Sequence, residues 1–401
     1  MRNEKKKLLF SASKDFVFSV LALVIYNGVL QLLIYPGLES RVGADAFGTV
    51  LYLISAVSIM GAGFGTAASY SRMVAKKDRT ESNGDYNLFL LAVAVISVFV
   101  SFAALFMLGN LEISLYIQVL VLMIITVVRY YADVEWRMTI RFKDYFLFFG
   151  TVSVGYVIGL LLYPITGSWA FTLFAGEFLG IIYTFIRGSI FRSPYAQLSE
   201  SFKENLKSFV FISASNLLAA LILHSDRILL RLVVGGREVT VFYAASLIGK
   251  IVAMLTTPLN GVIISYLTNY RIEFNKKKFA LVSAGLLVLT LIGALMCTGV
   301  SYIFVKIMYP DIFSEASKYF FLANLGQILY FISGSLMVMI MSFSKEKMQL
   351  VINLVYGISF CLIVIPMTFL LGINGIAYGL VIISLLRFLL TVMIGVNKLS
   401  K

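Results

Sequence analysis

The residues best equipped for chemistry in this chain lie inside apolar runs. The stretch LILHSDRILLRLVV, Leu221 to Val234, is greasy apart from His224, Asp226, Arg227 and Arg231, and Glu177, Lys250 and Arg387 interrupt other runs of the same kind. A charge at the centre of a membrane helix costs about 2.5–3.5 kcal/mol on insertion scales, so such residues face a wet cavity or a partner. Bases outnumber acids in this set. A cavity of net positive fixed charge attracts anions and repels organic cations, because low-dielectric walls screen its field poorly. Arginine offers phosphate a planar fork of donors and lysine a compact charge, so a pyrophosphate is a fitting cargo.

Helical spacing arranges these side chains. At about 100° per residue, Ser213, Asn216, Ala220, His224, Arg227 and Arg231 share one arc, a polar or small stripe expected to face water. Asp226 points away from that arc and is expected to bond another helix. Counting ~1.5 Å per residue, Arg227 and Arg231 lie about 27 and 33 Å into their span, where Arg231 can snorkel to headgroups. His224 reads more readily as a hydrogen-bonded packing residue than as a proton carrier. Lys250, about 14 Å inside the next span with Tyr243 and Ser246 on or near its face, is the foremost lumen residue. Its alternative is an ion pair with Glu177 or Asp226. Arg387, with Ser384 and Thr391 on its face, is similar. Glu177 is expected to pair with Lys250 or Arg387, a coupling proton being the other reading. Asp133, Glu135 and Trp136 read as a charged and aromatic belt at the end of a span.

The elements that must hold these residues are membrane helices. Of 401 residues, 60% are hydrophobic and 13% charged, about half the charge of an ordinary soluble domain. Apolar runs long enough to cross a bilayer recur throughout, and give twelve spans at roughly 15–36, 47–70, 87–108, 113–132, 145–165, 169–189, 209–233, 241–267, 279–304, 318–342, 348–371 and 375–396. An even count puts both termini on one side. One alternate set of loops holds most of the Lys and Arg, including Lys5, Arg72, Arg129, Arg137 and Lys345, whereas the other holds Arg41, Arg237, Lys306 and Lys318. That bias makes both termini cytoplasmic. The net charge of +13 is then a topological signal, aided by anionic lipid, and requires no nucleic acid. The opening MRNEKKK imitates a signal peptide, but the apolar run behind it is too long and is expected to stay as a span. Cys297 and Cys361 each sit in an apolar run and build neither a disulfide framework nor a metal cluster.

The chain reads as a duplication. The longest cytoplasmic connection, about 191–208, divides it into six-helix lobes 1–200 and 201–401. DFVFSVLALVIYNGVL at Asp15 is echoed by SFVFISASNLLAALIL at Ser208, and RVGADAFGTVLYLISAVS at Arg41 by LVVGGREVTVFYAASLIGK at Leu232. Six is even, so the halves form a parallel repeat about an axis along the membrane normal, as in some transporters, with the substrate site between them. No G-x-x-x-x-G-K-[ST] loop is present, so ATP is not the direct energy source. GAGFGTA at Gly61 lies within a span and is expected to serve helix packing, not a dinucleotide. One histidine allows no H-E-x-x-H pair, and short outer loops leave little room for an outer catalytic domain. These features argue against an enzyme and imply no cofactor and no metal.

The loop ESRVGADAFGTVLYLISAV, the run SNLLAALILHSDRILLRLVVGGREVTVFYAASLIGKI and the late LGINGIAYGLVIISLLR, in this order and spacing, resemble the Wzx-type flippases of O-antigen and capsule repeat units. These belong to the multidrug/oligosaccharidyl-lipid/polysaccharide (MOP) exporter superfamily, which also holds MATE-type drug exporters and lipid II flippases. The resemblance implies an all-α integral membrane protein of MATE-like fold, with twelve helices in two six-helix bundles arranged in a V. It implies that an undecaprenyl-pyrophosphate-linked oligosaccharide crosses a bacterial cytoplasmic (inner) membrane by alternating access, its pyrophosphate held in a cationic lumen. Arg41, Arg227, Arg231 and Lys250 are the basic positions that match by location; His224, Asn216 and Arg387 complete the expected lumen, and Glu177 and Asp226 are the expected coupling or ion-pair residues. Membrane lipids, a coupling proton or sodium ion and a glycan polymerase complex are the further partners implied. The alternatives are a drug exporter, which needs an unpaired carboxylate deep in the lumen, and a membrane-embedded glycan polymerase or ligase.

Overall fold

The computed structural model describes residue 15 and residues 17–254, 276–341 and 347–398. Among these, eleven helices are long and apolar enough to cross a membrane. They are α1 (Val17–Val42), α2 (Ala44–Asp78), α3 (Asn83–Met107), α4 (Ile113–Met138), α5 (Phe142–Leu161), α6 (Trp169–Arg187), α7 (Phe202–Val233), α9 (Lys276–Met308), α10 (Pro310–Met337), α11 (Val351–Leu371) and α12 (Ile373–Asn397). Between α7 and α9 lies α8 (Gly236–Met254), the described part of the expected span 241–267, whose remainder falls outside the described residues. The chain is a multi-pass membrane protein, all-helical over the described residues, which hold eleven spans against the twelve expected.

The helices are inside-out relative to soluble ones. On α3 the buried residues include Ser97, Ser101 and Ala104, whereas Phe99, Phe102 and Phe106 are exposed. On α9 Ser283, Thr290 and Ala294 are buried, and Leu281, Leu289 and Leu295 are exposed. Lipid is as apolar as leucine, so burying leucine gains little, and small side chains that let backbones approach take the interior instead. Their hydroxyls are satisfied within the helix: Ser97 donates to the Val93 carbonyl at 2.8 Å and Ser101 to the Ser97 carbonyl at 2.7 Å.

Three spans contain π-helical segments: Val29–Ile34 in α1, Gly61–Gly65 in α2 and Phe360–Val364 in α11. Two of these have a cause in sequence. Pro36 and Pro366 each lack an N–H and crowd the carbonyl four residues back, which belongs to Leu32 and Leu362. Both carbonyls lie inside the widened segments, where five-residue spacing relieves the clash. The third is the glycine run GAGFG, which packs on α4 as small-residue packing predicts: a Cβ on Gly61 would meet the Tyr130 ring at 2.7 Å.

The described chain divides into two compact units, one of residues 1–41 and 50–225, the other of residues 42–49 and 226–401. In the first, α5 and α6 cross at glycines: a Cβ on Gly159 would lie 2.5 Å from the Thr172 carbonyl oxygen, and one on Gly176 would strike the Tyr156 ring at 2.0 Å. In the second, the start of α2 is pressed on the start of α8. A Cβ on Gly48 would sit 1.7 Å from the Gly236 oxygen, one on Gly236 2.2 Å from the Asp45 oxygen. Thr240 Oγ1 donates to the Ala44 carbonyl at 2.6 Å, and the Arg237 N–H to Asp45 Oδ1 at 3.2 Å. The two echoing stretches of the sequence therefore pack backbone to backbone, which is why residues 42–49 group with the second unit.

Candidate functional site

Lys250 and Asp226 meet in the second unit. Glycine at position 249 lets α8 close on α10, where the Gly249 N–H donates to Asn324 Oδ1 at 2.6 Å, and this docking fixes the turn that carries Lys250. Lys250 Nζ then reaches Asp226 Oδ2 on α7 at 2.5 Å, with both side chains buried. Asp226 Oδ1 accepts the Arg227 N–H at 2.9 Å. Asp226 thus bonds another helix as expected, and the positive charge of Lys250 is neutralised by its partner.

Three arginines of the same unit make no ion pair among the described residues. The Arg227 guanidinium is buried, stands 4.8 Å from the centre of the Tyr243 ring, and its Nε has no hydrogen-bond partner. Arg231, half-buried, donates from Nε to Thr49 Oγ1 at 2.8 Å. Arg387, in the middle of α12, is buried among neutral groups of α10 and α11. Once Asp226 is matched to Lys250, the buried charge that remains among the described residues of the second unit, Arg227 and Arg387, is positive. Such an interior can hold an anion without first displacing a carboxylate.

The first unit is neutral where its charges are deepest. Glu177 on α6, expected from the sequence to pair with Lys250 or Arg387, is instead paired with Arg129 of α4. Arg129 binds it through Nε and through Nη2, the latter at 3.1 Å to Oε1. Tyr156 Oη donates to Glu177 Oε1 at 2.6 Å, and Arg129 Nη2 donates to Tyr26 Oη at 2.9 Å. The Tyr26 and Tyr130 rings lie 5.1 and 4.0 Å from the guanidinium. A cavity of about 30 Å³ adjoins this cluster, lined also by Leu30 and Tyr35 at the edges of the α1 π segment; it is large enough for one water molecule. Arg129, Glu177, Tyr26 and Tyr156 answer one another, so the cluster is a lock between helices and not an open charge.

The residues of the expected stripe are partly covered: Ser213 and Arg227 are buried, and Asn216, His224 and Arg231 half-buried. The Asn216 Nδ2 is buried without a hydrogen-bond partner. Arg41, in the first unit, donates to the Leu160 carbonyl at 2.6 Å and stands 5.3 Å from the Tyr163 ring centre. The belt of Asp133, Glu135 and Trp136 is a buried cap: Glu135 accepts the Ser189 and Ile190 N–H groups at 3.0 and 3.1 Å, and Trp136 is wholly covered. Arg129 and Arg72, taken from sequence as loop cations, are buried, Arg72 against Tyr131, Glu81 and Asn83. The signal that could have found Arg129 was already in the apolar run: it falls inside the expected span 113–132, three residues before its end, and α4 runs on past it to Met138.

Solved structures share the fold over nearly the whole chain. The lipid II flippase MurJ, in an inward closed conformation, aligns over 94% of this chain and 87% of its own, with a TM-score of 0.72 at 15% identity. The fold is that of MurJ and the MATE transporters. Inward-facing and outward-facing structures of a multidrug resistance MATE family transporter of the MOP superfamily align over 96% and 95% of this chain and over 95% and 94% of theirs. Their TM-scores are 0.61 and 0.62, at 14% identity. No family model and no curated protein matches the chain.

Proposed function

We propose that this protein is a flippase that moves an undecaprenyl-pyrophosphate-linked oligosaccharide repeat unit from the cytoplasmic to the outer leaflet of a bacterial inner membrane. Lobes 1–200 and 201–401 alternate access to a cationic lumen, and no bond of the cargo is made or broken. The observation that carries this reading is the set of buried or half-buried arginines in the second unit, Arg227, Arg231 and Arg387, which make no ion pair among the described residues. Buried cations without carboxylates are tolerated where an anion is the ligand, and pyrophosphate offers the oxygens that guanidinium groups match. Arg41, His224 and Asn216 extend the polar path, and Lys250 contributes when Asp226 releases it. A drug exporter is disfavoured because the buried carboxylates Glu177 and Asp226, each inside an apolar run, are already paired. Membrane lipid, a coupling proton or sodium ion and a glycan polymerase are the partners this role entails. Depletion in the native host tests it: lipid-linked repeat units accumulate on the cytoplasmic leaflet while their synthesis continues. Unchanged surface glycan in depleted cells refutes it.

A further inference from the structure

Arg387 has the geometry of a half-filled receptor. The residue is 5% exposed, and among the described residues its side-chain hydrogen bonds go to neutral oxygens: Nη1 to the Tyr330 carbonyl and Nη2 to Asn353 Oδ1, each at 3.2 Å. Charge-assisted bonds from a guanidinium run shorter, about 2.7–2.9 Å, so these contacts are loose. The Tyr330 and Tyr356 rings lie 4.1 and 5.5 Å from the guanidinium carbon, which favours a cation but supplies no counter-charge. The Nε N–H is buried with no hydrogen-bond partner among the described residues. A buried donor left unanswered is costly, and a buried guanidinium facing only neutral groups is more so.

We propose that Arg387, Tyr330, Asn353 and Tyr356 form a phosphate-type oxyanion subsite within the second unit. The inference rests on the proposed flippase function and deepens it, because it assigns the acidic end of the cargo to one guanidinium edge. Nε and Nη2 are the two donors of the side-on edge that grips an oxyanion with parallel bonds. One of them has no partner, and the other is held by the carboxamide of a half-buried residue, Asn353, which a side-chain rotation releases. The oxyanion takes the place of the Asn353 oxygen and satisfies Nε in the same step, while the tyrosine faces hold the guanidinium plane in position. Lys250 cannot do this in the same state, since Asp226 already occupies it. The same chemistry would seat the pyrophosphate of a lipid-linked glycan or the phosphodiester of an anionic lipid.

The test uses the full chain purified in neutral detergent and in nanodiscs. Inorganic pyrophosphate is titrated by calorimetry against the parent, Arg387→Gln and Arg387→Lys. Arg387→Gln is expected to weaken binding at least about tenfold and Arg387→Lys to fall between, because lysine keeps the charge and loses the fork. Nanodiscs of phosphatidylcholine alone or with phosphatidylglycerol separate the sources. Pyrophosphate binding that persists with phosphatidylglycerol present assigns the subsite to a diphosphate; phosphatidylglycerol that stays bound to the parent and is lost from Arg387→Gln, with pyrophosphate failing to displace it, assigns it to a headgroup. Parental affinity for both ligands in Arg387→Gln overturns the proposal, as does a parent that binds neither. If Arg387→Gln does not fold, Arg387→Lys decides: parental affinity for both ligands overturns the subsite. Failure of the parent to move lipid-linked oligosaccharide across liposomes, with Arg387-dependent binding intact, would instead overturn the flippase function and leave the subsite standing.

Discussion

Single side chains in this protein are sorted by whether a buried charge has an opposite partner. Arg129 and Glu177 do, and tyrosine hydroxyls complete the set. Removing one member of a buried pair strands the other, typically at a cost of about 3–5 kcal/mol, whereas replacing both by apolar residues is far less damaging. Arg129→Met is therefore expected to lower stability by about that amount in detergent unfolding. Arg129→Met with Glu177→Leu should recover most of the loss. A double variant no more stable than the single one would show that the cluster holds the helices by something other than charge. The sequence made Glu177 legible as an ion-pair residue and gave the wrong base, because pairing depends on which helices are neighbours.

At the scale of elements, backbone proximity governs. The α2 and α8 starts meet at Gly48 and Gly236 with no room for a methyl group on either. Gly48→Ala would drive a Cβ to within 1.7 Å of a carbonyl oxygen and must part the helices. A loss of about 1–3 kcal/mol or more is expected, read as a fall in monodisperse protein on size-exclusion chromatography. Gly150→Ala, where a Cβ meets nothing within 4 Å, is the control and should stabilise α5 by about 0.5–1 kcal/mol. Equal behaviour of the two variants would contradict the packing. Helix positions were readable from apolar runs, since hydrocarbon demands about twenty such residues whatever the fold. The π segments were not, although Pro36 and Pro366 mark two of them in retrospect.

For the molecule as a whole, loop charge is the quantity with the furthest reach. Lys and Arg gather in alternate loops, a bias that fixes orientation during insertion and predicts cytoplasmic termini. A green fluorescent protein fused after Lys401 should fluoresce in cells, and alkaline phosphatase at the same point should be inactive. The reverse result would invert the topology and place the loop cations outside.

The membrane class, the placement of most spans and the excess of base over acid follow from composition and order alone, because a bilayer imposes one length scale and one penalty on charge at every position. Which charge answers which was decided by tertiary structure. Lys250 looked like the open cation and is held by Asp226, Arg129 was counted with the loop cations and is locked to Glu177, and Arg387, like Arg227, emerged as a buried guanidinium with one donor to spare. Spacing along one helix gives the direction of a side chain, but electrostatic partnership acts over a few ångströms between helices, and that separation exists only once they have packed.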